Sequence, residues 1–220
     1  MSKTKVGRTW IERHVADPYV RKARAMGYRS RAAFKLAEID RSDRLFAPGQ
    51  RVVDLGAAPG GWSQVAAERV GARGRVIAVD LLEVAPIDRV SVVRGDFRDE
   101  NVLRGIEALL GGEKVDLVLS DLSPNLSGVA ASDQAASVQL CELALDFAGS
   151  HLKPGGALLV KAFQGAGFPA FLARLRAAFE RVASRKPDAS RSRSSEMYLL
   201  ARGPRTKPGP RTKSGPRARP

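Results

Sequence analysis

Residues 51–62 read Arg51-Val-Val-Asp-Leu-Gly-Ala-Ala-Pro-Gly-Gly-Trp62, and this stretch decides the fold. Three of its first five residues are apolar, Val52, Val53 and Leu55, and the adjacent valines indicate a short strand buried on both faces. Gly56, Gly60 and Gly61 then form a tight turn, and a helical pattern opens at Trp62. A strand that passes through a glycine-rich turn directly into a helix is the first half of a β-α-β unit.

The same alternation of strand and helix continues to residue 201. The further strand candidates are Arg75–Leu81, Val90–Arg94, Val115–Ser120, Gly156–Val160, about Arg181–Lys186 and Met197–Ala201. The helix candidates are Trp62–Val70, Asn101–Leu110, Ser132–Leu152 and Pro169–Phe179, with Ser30–Phe46 before the first strand. This order predicts an α/β fold with a doubly wound, mostly parallel, seven-stranded sheet covered by helices on both faces. Because the last two strand candidates lie close together in sequence, we expect an antiparallel strand at one edge.

Ionisable residues follow several of these strands at the point where each strand ends. Asp80, Asp96 and Asp121 end the second, third and fourth strands, and Lys161 follows the apolar run of the fifth. Ligands of open α/β sheets bind in the crevice beyond the carboxyl ends of the strands, so we expect these groups to share one site. Asp80 is placed to accept hydrogen bonds from ribose hydroxyls, and Asp96 to accept one from an adenine amino group.

The spacing of the glycines narrows the choice of cofactor. The turn reads Gly56-x-x-x-Gly60-Gly61, which differs from the Gly-x-Gly-x-x-Gly of dinucleotide sites, and no Gly-Lys-Ser/Thr follows. It suits close approach of the backbone to a ligand without a pyrophosphate, such as S-adenosylmethionine. An NAD-dependent oxidoreductase on a similar sheet is therefore the less favoured alternative.

Lys161 is the most informative single residue, because it lies between Val160 and the apolar Ala162. A buried ammonium needs nearby carboxylates. Asp121 ends the neighbouring strand and Glu196 begins the last one, so we expect these two acids to flank Lys161. The alternative is that the lysine stem carries its ammonium out to solvent at the strand end.

The positive charge of the chain is concentrated at its two ends. The formal net charge is +14, of which residues 1–35 carry +8 and residues 201–220 carry +7, so the body between them is close to neutral. This distribution favours a polyanionic partner over charge that serves solubility alone. We predict three parts: a basic extension over residues 1–29, a catalytic domain over 30–202 and a disordered Pro/Gly-rich tail over 203–220.

The basic surface that could bind nucleic acid is predicted just before the first strand. Its members are Arg21, Lys22, Arg24, Arg29 and Arg31, with Tyr19 and Tyr28 between them. Cations that contact phosphates and aromatic rings that stack on bases are the combination used by single-stranded nucleic-acid sites.

Two other features of the composition exclude classes of protein. The single Cys141 and the two widely separated histidines provide no metal-ligand pattern, so we expect no metal. No apolar run approaches the roughly 20 residues that cross a bilayer, and no apolar segment follows the basic N-terminus. We therefore expect a cytoplasmic protein without a membrane partner.

Five segments resemble the FtsJ-type (RlmE-type) ribosomal RNA ribose 2′-O-methyltransferases over about residues 10–202. They are Gly27–Leu36, Asp54–Gln64, Ser120–Asn125, Val160–Phe163 and Ser194–Tyr198. The resemblance implies a Rossmann-like class I methyltransferase fold and S-adenosyl-L-methionine as cofactor. It also implies a catalytic tetrad of Lys35, Asp121, Lys161 and Glu196, and cofactor contacts at Gly60, Trp62, Asp80, Asp96 and Asp121. None of these positions departs from the family pattern.

The implied reaction is 2′-O-methylation of a uridine ribose in large-subunit (23S) ribosomal RNA. We expect a monomer that acts on the assembled 50S subunit, although the sequence does not decide between that subunit and free RNA. A ribose hydroxyl is a poor nucleophile at neutral pH, so it needs a base or a nearby cation. We expect the carboxylates to aim the Lys161 ammonium at the 2′-oxygen, while Lys35 adds positive field or holds a neighbouring phosphate. The alternative is a non-catalytic RNA-binding factor with a vestigial cofactor pocket.

Overall fold

The computed structural model describes residues 17–125, 127–191 and 194–205. The helices in these ranges are α1 (Pro18–Ala25), α2 (Ala32–Asp43), α3 (Gly61–Val70), α4 (Glu100–Leu110), α5 (Ala130–His151) and α6 (Phe168–Ala178). The strands are β1 (Arg51–Leu55), β2 (Arg75–Asp80), β3 (Val90–Arg94), β4 (Val115–Ser120), β5 (Leu152–Phe163), β6 (Phe179–Arg185) and β7 (Glu196–Pro204).

All seven of these strands form one sheet in the order β3-β2-β1-β4-β5-β7-β6. The first five in that order are parallel, whereas β7 runs antiparallel to both β5 and β6. The predicted α/β fold, with a mostly parallel seven-stranded sheet and antiparallel pairing at one edge, is confirmed. The reversed strand is β7, which lies one place in from the edge, and β6 is outermost.

The strand order places the ligand crevice between β1 and β4. From β1 the chain winds outward through β2 to β3, and it then returns to β4 on the other side of β1. The two halves of the sheet diverge at this point, so loops that leave the carboxyl ends of β1 and β4 leave a gap between them.

Each face of the sheet has its own hydrophobic core. Val53 and Val118 pack on the face covered by α4, α5 and α6, together with Ile106 and Leu175. The neighbouring strand residues, Val52 and Leu117 among them, pack on the opposite face against α2 and α3. Because successive strand residues point to opposite faces, a strand buried on both sides must be apolar throughout, as β1 and β4 nearly are.

Several predicted boundaries differ from the structure by a few residues, and two of these differences are instructive. We expected β5 to begin at Gly156, but it begins at Leu152, which pairs with Val115 across an irregular register. We expected the disordered tail to begin at Gly203, but β7 runs to Pro204, which pairs with Phe179. A proline is tolerated there because it ends the strand and its missing N–H costs no central ladder bond. Residues 206–220 of the predicted tail lie outside the described residues.

The described part of the predicted N-terminal extension contains α1. Asp17 caps this helix, because its side chain accepts a hydrogen bond from the backbone N–H of Tyr19 at 2.9 Å, and Pro18 occupies the first turn. Its buried Ala23 packs with Phe34 of α2. Residues 1–16 of the extension lie outside the described residues.

Among the described residues, no helix combines the length and the apolar character that crossing a membrane requires.

Candidate active site

The antiparallel direction of β7 brings its first residues to the carboxyl end of β5. Lys161 pairs with Tyr198, and Phe163 pairs with Glu196. Glu196 and Tyr198 are two residues apart in a strand, so their side chains lie on the same face. Asp121 directly follows β4, the strand on the other side of β5. The fold therefore gathers these residues at one end of the sheet.

Lys161 is directed at Asp121. Its Nζ atom lies 3.1 Å from Asp121 Oδ1 and donates to the backbone oxygen of the same residue at 2.8 Å. Only 8% of the lysine side chain is exposed. The ammonium is therefore held inside the protein, and the interpretation of Lys161 as a solvated strand-end lysine is wrong.

Glu196 pairs with Lys35 of α2, which corrects our expectation that both acids flank Lys161. Lys35 Nζ lies 2.6 Å from Glu196 Oε1, and both side chains are nearly buried. Burial raises the pKa of Glu196, but the hydrogen bond and the charge of Lys35 outweigh it, so the pKa is lowered overall. Glu196 is therefore ionised at neutral pH, and Lys161 acts on it as a more distant charge.

Tyr198 joins the two ion pairs, and the sequence reasoning missed it. Its hydroxyl accepts a hydrogen bond from Lys35 Nζ at 3.2 Å and donates one to Asp121 Oδ1 at 3.1 Å. The residue is completely buried. Burial, with the negative charges of Asp121 and Glu196, raises the pKa of the phenol well above 10. The phenol therefore stays protonated and completes a chain of contacts from Lys161 to Glu196.

A signal for Tyr198 was available in the sequence. The alternation of a β-strand puts the tyrosine of Glu196-Met-Tyr198 on the same face as the glutamate. The predicted catalytic residues are all charged at neutral pH, so the neutral phenol is not among them.

The glycine-rich turn lies beside this network, and its glycines are required by close packing. Gly56 has φ +77°, and a Cβ there would lie 2.7 Å from Leu122 Cδ2. Gly60 has φ +108°, and its Cβ would lie 2.6 Å from Ile87 Cδ1. Side chains at these two positions would meet the loops after β4 and β2, so only glycine fits there.

Trp62, predicted as a cofactor contact, is buried beneath the turn. Its indole N–H donates to the backbone oxygen of Ala32 at 2.8 Å, and its ring centroid lies 5.6 Å from that of Tyr198. The indole therefore supports Tyr198, and contact with a ligand in the crevice is left to the Trp62 backbone.

Asp80 connects the turn to the loop that follows β2. One carboxylate oxygen accepts from the backbone N–H of Ala58, and the other from that of Leu82, both at 2.8 Å. Each oxygen has a further lone pair for a ligand. Asp80 thus holds the two strand ends together while it faces the region predicted to bind ribose.

Asp96 lies after β3 and is held by Arg98. The arginine Nε lies 2.9 Å from both carboxylate oxygens, and its Nη2 contacts one of them. The hydrogen bond from Arg98 lowers the pKa of Asp96. The carboxylate is therefore ionised and suited to accept a hydrogen bond from an amino group.

Asp54 is the one acid of the turn that we had not assigned. It is fully buried, Ser63 Oγ donates to its Oδ2 at 2.6 Å, and its Oδ1 has no hydrogen-bond partner among the described residues. Burial raises its pKa to about 7, and the charges of Asp121 and Asp80 add to the shift. Four acids thus lie at or beside the carboxyl ends of β1 to β4, Asp54, Asp80, Asp96 and Asp121, which fits a cationic ligand that also offers hydroxyl and amino donors, as S-adenosylmethionine does.

Within residues 17–125, 127–191 and 194–205, no group of three or more histidines, cysteines and acids is arranged to bind a metal ion. Cys141 is buried beneath β5, where its Sγ lies 3.2 Å from the backbone oxygen of Lys161.

Comparison with known proteins agrees with this geometry. The family described as FtsJ-like methyltransferase matches residues 28–204. A protein of Azoarcus sp. (strain BH72), named ribosomal RNA large subunit methyltransferase E, is 56% identical over 91% of this chain and 98% of its own length. A protein of the same name from Thiobacillus denitrificans is also 56% identical, over 92% of each chain.

Solved structures share the fold. A candidate ribosomal RNA methyltransferase from Plasmodium falciparum superimposes with a TM-score of 0.71 at 28% identity, over 80% of this chain and 98% of that one. An S-adenosylmethionine-dependent O-methyltransferase from Thermotoga maritima gives a TM-score of 0.53 at 17% identity, which shows the fold alone. Since the family match spans most of the chain and contains every residue of the network, the protein belongs to the FtsJ-like methyltransferases.

Proposed function

We propose that the protein transfers a methyl group from S-adenosylmethionine to the 2′-hydroxyl of a uridine ribose in large-subunit ribosomal RNA. The observation that carries this proposal is the buried chain of contacts from Lys161 through Asp121, Tyr198 and Lys35 to Glu196. The relatives named ribosomal RNA large subunit methyltransferase E support the choice of RNA. With ribosomal RNA as substrate, we place the activity in the cytoplasm.

The cofactor site is the crevice that the glycine turn borders. Asp80 would accept from ribose hydroxyls, Asp96 from the adenine amino group, and the backbone of Gly60 and Trp62 would line the turn. Asp121 contacts Lys161 and follows β4 beside the glycine turn, so it would contact the cofactor as well as the catalytic lysine. When bound, S-adenosylmethionine supplies a methyl group on a sulfonium with a neutral leaving group.

Lys161 activates the ribose hydroxyl by position and charge. An ammonium has three N–H donors, and Asp121 accepts two of them within the described residues. The third is left for the 2′-oxygen. A fixed positive charge at this oxygen stabilises the negative charge that develops as its proton is lost to water and its bond to the methyl carbon forms.

Lys35, Glu196 and Tyr198 support this arrangement from the other side. Tyr198 donates to the same oxygen of Asp121 that contacts Lys161, so it limits the rotation of that carboxylate. Glu196 neutralises the charge of Lys35, which keeps the tyrosine hydroxyl from facing an unpaired ammonium. The network thus fixes the direction of Lys161 before substrate arrives, and preorganisation of this kind lowers the barrier.

The choice of RNA follows from the reaction, because DNA lacks the 2′-hydroxyl. The exposed cations of α1, Arg21, Lys22 and Arg24, would hold the phosphates next to the target nucleotide. Lys22 lies over the ring of Phe34, with its Nζ 4.8 Å from the ring centroid, so it is directed along the same surface as α2.

The test is methyl transfer from radiolabelled S-adenosylmethionine to large ribosomal subunits that lack the modification, to their free RNA and to small subunits. We expect label in large-subunit RNA, with the assembled 50S subunit the better substrate. The product linkage should resist alkali, because cleavage of the RNA backbone requires a free 2′-hydroxyl. Mapping the resistant linkage locates the nucleotide.

The matched controls are Lys161→Ala, which removes the catalytic ammonium, and Lys114→Ala, which removes an exposed lysine ahead of β4 at the opposite end of the sheet. Ribose methylation would be contradicted if Lys161→Ala still incorporated label and if alkali cleaved the RNA at the labelled nucleotide. RNA binding without any methyl transfer would instead identify a non-catalytic RNA-binding factor.

A further inference from the structure

Arg29 joins the two loops that border the cofactor crevice. Its Nη1 donates to the backbone oxygens of Pro59 at 3.2 Å and Ala85 at 2.6 Å, and its Nη2 donates to that of Pro86 at 2.6 Å. Pro59 lies in the glycine-rich turn after β1, whereas Ala85 and Pro86 lie in the loop between β2 and β3. One guanidinium therefore bridges the two loops.

The base of Arg29 is itself fixed to α3. Gln64 accepts the backbone N–H of Arg29 at 2.9 Å and donates to the backbone oxygen of Gly27 at 3.0 Å. The hydroxyl of Tyr28 donates to Glu68 at 3.0 Å, one turn further along the helix. Because α3 starts at the glycine turn, the arginine reaches across the crevice from an anchored position.

The turn is shaped to accept this side chain. A Cβ at Gly60 would lie 3.2 Å from both Cδ and Nη1 of Arg29. Beneath the bridge, Ala57 and Val84 form a small apolar cluster with Ala78 of β2. Asp80 ties the same two loops together from below through Ala58 and Leu82, so the arginine and the aspartate hold the loops at two levels.

We propose that Arg29 is a positioning residue of the cofactor pocket, which sets the spacing between the glycine turn and the loop after β2. This inference rests on the proposed function, since it takes the crevice that the glycine turn borders as the S-adenosylmethionine site. The turn carries the Gly60 backbone and the other loop follows Asp80 at the end of β2, so a change in their spacing would displace groups that the proposed function assigns to the cofactor.

This role differs from the phosphate contact that the sequence predicted for Arg29. Both terminal nitrogens of its guanidinium donate to carbonyl oxygens, and these carbonyls belong to the cofactor loops. A phosphate would have to compete with them. The planar fork of an arginine can hold several carbonyls at once, whereas a lysine ammonium offers a single point charge.

The experiment measures S-adenosylmethionine binding by calorimetry, without RNA, for the full chain and for Arg29→Ala, Arg29→Lys and Arg73→Ala. Arg73 is exposed and precedes β2 at the opposite end of the sheet, so its loss removes the same charge away from the crevice. We expect both Arg29 variants to raise the dissociation constant by about tenfold, because the lost bonds involve a charged donor, and Arg73→Ala to leave it unchanged.

Steady-state kinetics separates positioning from a general loss of structure. We expect the KM for S-adenosylmethionine to rise about tenfold in the Arg29 variants, while kcat at saturating cofactor stays within about twofold. Hydrogen exchange should accelerate at the backbone amides of residues 82–88 and stay unchanged in β1 and β4. A variant that merely unfolds would lose protection from exchange in all of these segments. If Arg29→Ala does so, the cofactor KM and kcat are taken from Arg29→Lys instead.

Three outcomes would overturn the inference. An unchanged cofactor dissociation constant would remove Arg29 from the pocket, and full rescue by Arg29→Lys would reduce its role to charge. A rise in the KM for RNA alone would make it the phosphate contact. If the wild-type chain bound no S-adenosylmethionine at all, the proposed function itself would fail. Arg73→Ala would then bind none either, which distinguishes this outcome from a defect confined to the Arg29 variants.

Discussion

At the scale of residues, the network is balanced in charge. Two ammonium groups face two carboxylates, and each ammonium lies within 3.1 Å of its partner oxygen. Removing a charge from water costs several kcal/mol, which only a well-placed partner and further hydrogen bonds offset. Tyr198 supplies such hydrogen bonds to both pairs. Because truncation of one member leaves another charge unpaired, each variant needs its stability measured beside its activity.

Loss of the Lys161 ammonium should abolish most of the methyl transfer. We expect Lys161→Ala to lower kcat by about 100-fold or more, since losing one donor aimed at the negative charge that develops in the reaction costs at least that much. The cofactor dissociation constant should stay close to that of the wild type, because Lys161 contacts the substrate side of Asp121. Single-turnover kinetics and calorimetry measure the two quantities. Unchanged turnover would remove the lysine from the mechanism.

The hydroxyl of Tyr198 should matter for rate and little for cofactor binding. Tyr198→Phe keeps the ring that packs against Trp62 and removes only the bridge between Lys35 and Asp121. Since a hydrogen bond of this kind is worth about 1 kcal/mol, we expect kcat to fall about fivefold. The measurement is single-turnover methyl transfer at saturating cofactor. Wild-type kcat in the variant would show that the two ion pairs do not need the bridge.

Asp54 should make the stability of the free protein depend on pH. Its pKa is about 7 in the folded chain, well above the 3.8 of a solvated aspartate, so the folded state binds more protons between these values. The free energy of unfolding must therefore fall as pH rises through this window. We expect the wild type to lose roughly 3 kcal/mol relative to Asp54→Asn between about pH 5 and about pH 8.

Urea unfolding of both proteins without cofactor measures this difference. Asparagine is neutral throughout and keeps the shape of the side chain, so it serves as the reference. A wild-type curve parallel to that of Asp54→Asn over the whole range would mean that the carboxylate is ionised in the folded chain at no cost.

The elements differ in how far the sequence determined them. β1 and β4 were predicted to the residue, because a buried parallel strand needs a continuous apolar run and a turn directly after it. β5 was predicted to start four residues late, because Pro154-Gly155 indicated a turn although Leu152 already pairs with Val115. Tertiary pairing overrode the local turn signal there.

The site, like the strands, was predicted where local sequence decides the structure and missed where tertiary packing does. The sequence placed Asp121, Lys161 and Glu196 at one end of the sheet, since strand ends follow from strand order. Strand order does not predict the partner of Glu196. Lys35 reaches Glu196 because Leu36 and Ile39 pack α2 on the sheet. No pattern within the chain specifies which lysine a helix will present to a strand so distant in sequence.

The N-terminus of α4 offers a test at the level of an element. Asp99 caps this helix, because its side chain accepts the backbone N–H of Asn101 at 2.7 Å. We expect Asp99→Ala to lower the free energy of unfolding by about 1 kcal/mol and Asp99→Ser to restore most of it. Urea unfolding measures both. Wild-type stability in Asp99→Ala would mean that the cap contributes nothing to the fold.

At the scale of the whole molecule, a cluster of positive charge immediately precedes, in the sequence, the helix that carries part of the catalytic network. The cations of residues 1–35 lead directly into α2, which carries Lys35 into the network. We expect RNA held by the exposed cations of α1, Arg21, Lys22 and Arg24, to lie near this network. The tail follows β7, whose first residues contribute Glu196 and Tyr198 while its last residues lie at the far end of the sheet.

This geometry predicts that the tail adds affinity without adding catalysis. Residues 206–220 contain five cations and no acid, and they continue from the end of β7 that lies away from the site. Their contacts with RNA would be sequence-independent and would release bound counterions. Removing residues 206–220 should therefore make the slope of log K against log salt shallower by up to roughly 3.5, at about 0.7 per phosphate contact with single-stranded RNA.

The measurement is RNA binding over a series of salt concentrations, with kcat determined at saturating RNA. A matched control replaces the five cations of residues 206–220 by glutamine at constant length, which separates charge from chain length. We expect both variants to show the shallower slope and wild-type kcat, because no residue of the network has changed. An unchanged slope would leave the tail without a role in RNA binding. A lower kcat would place the tail at the active site, which the direction of β7 argues against.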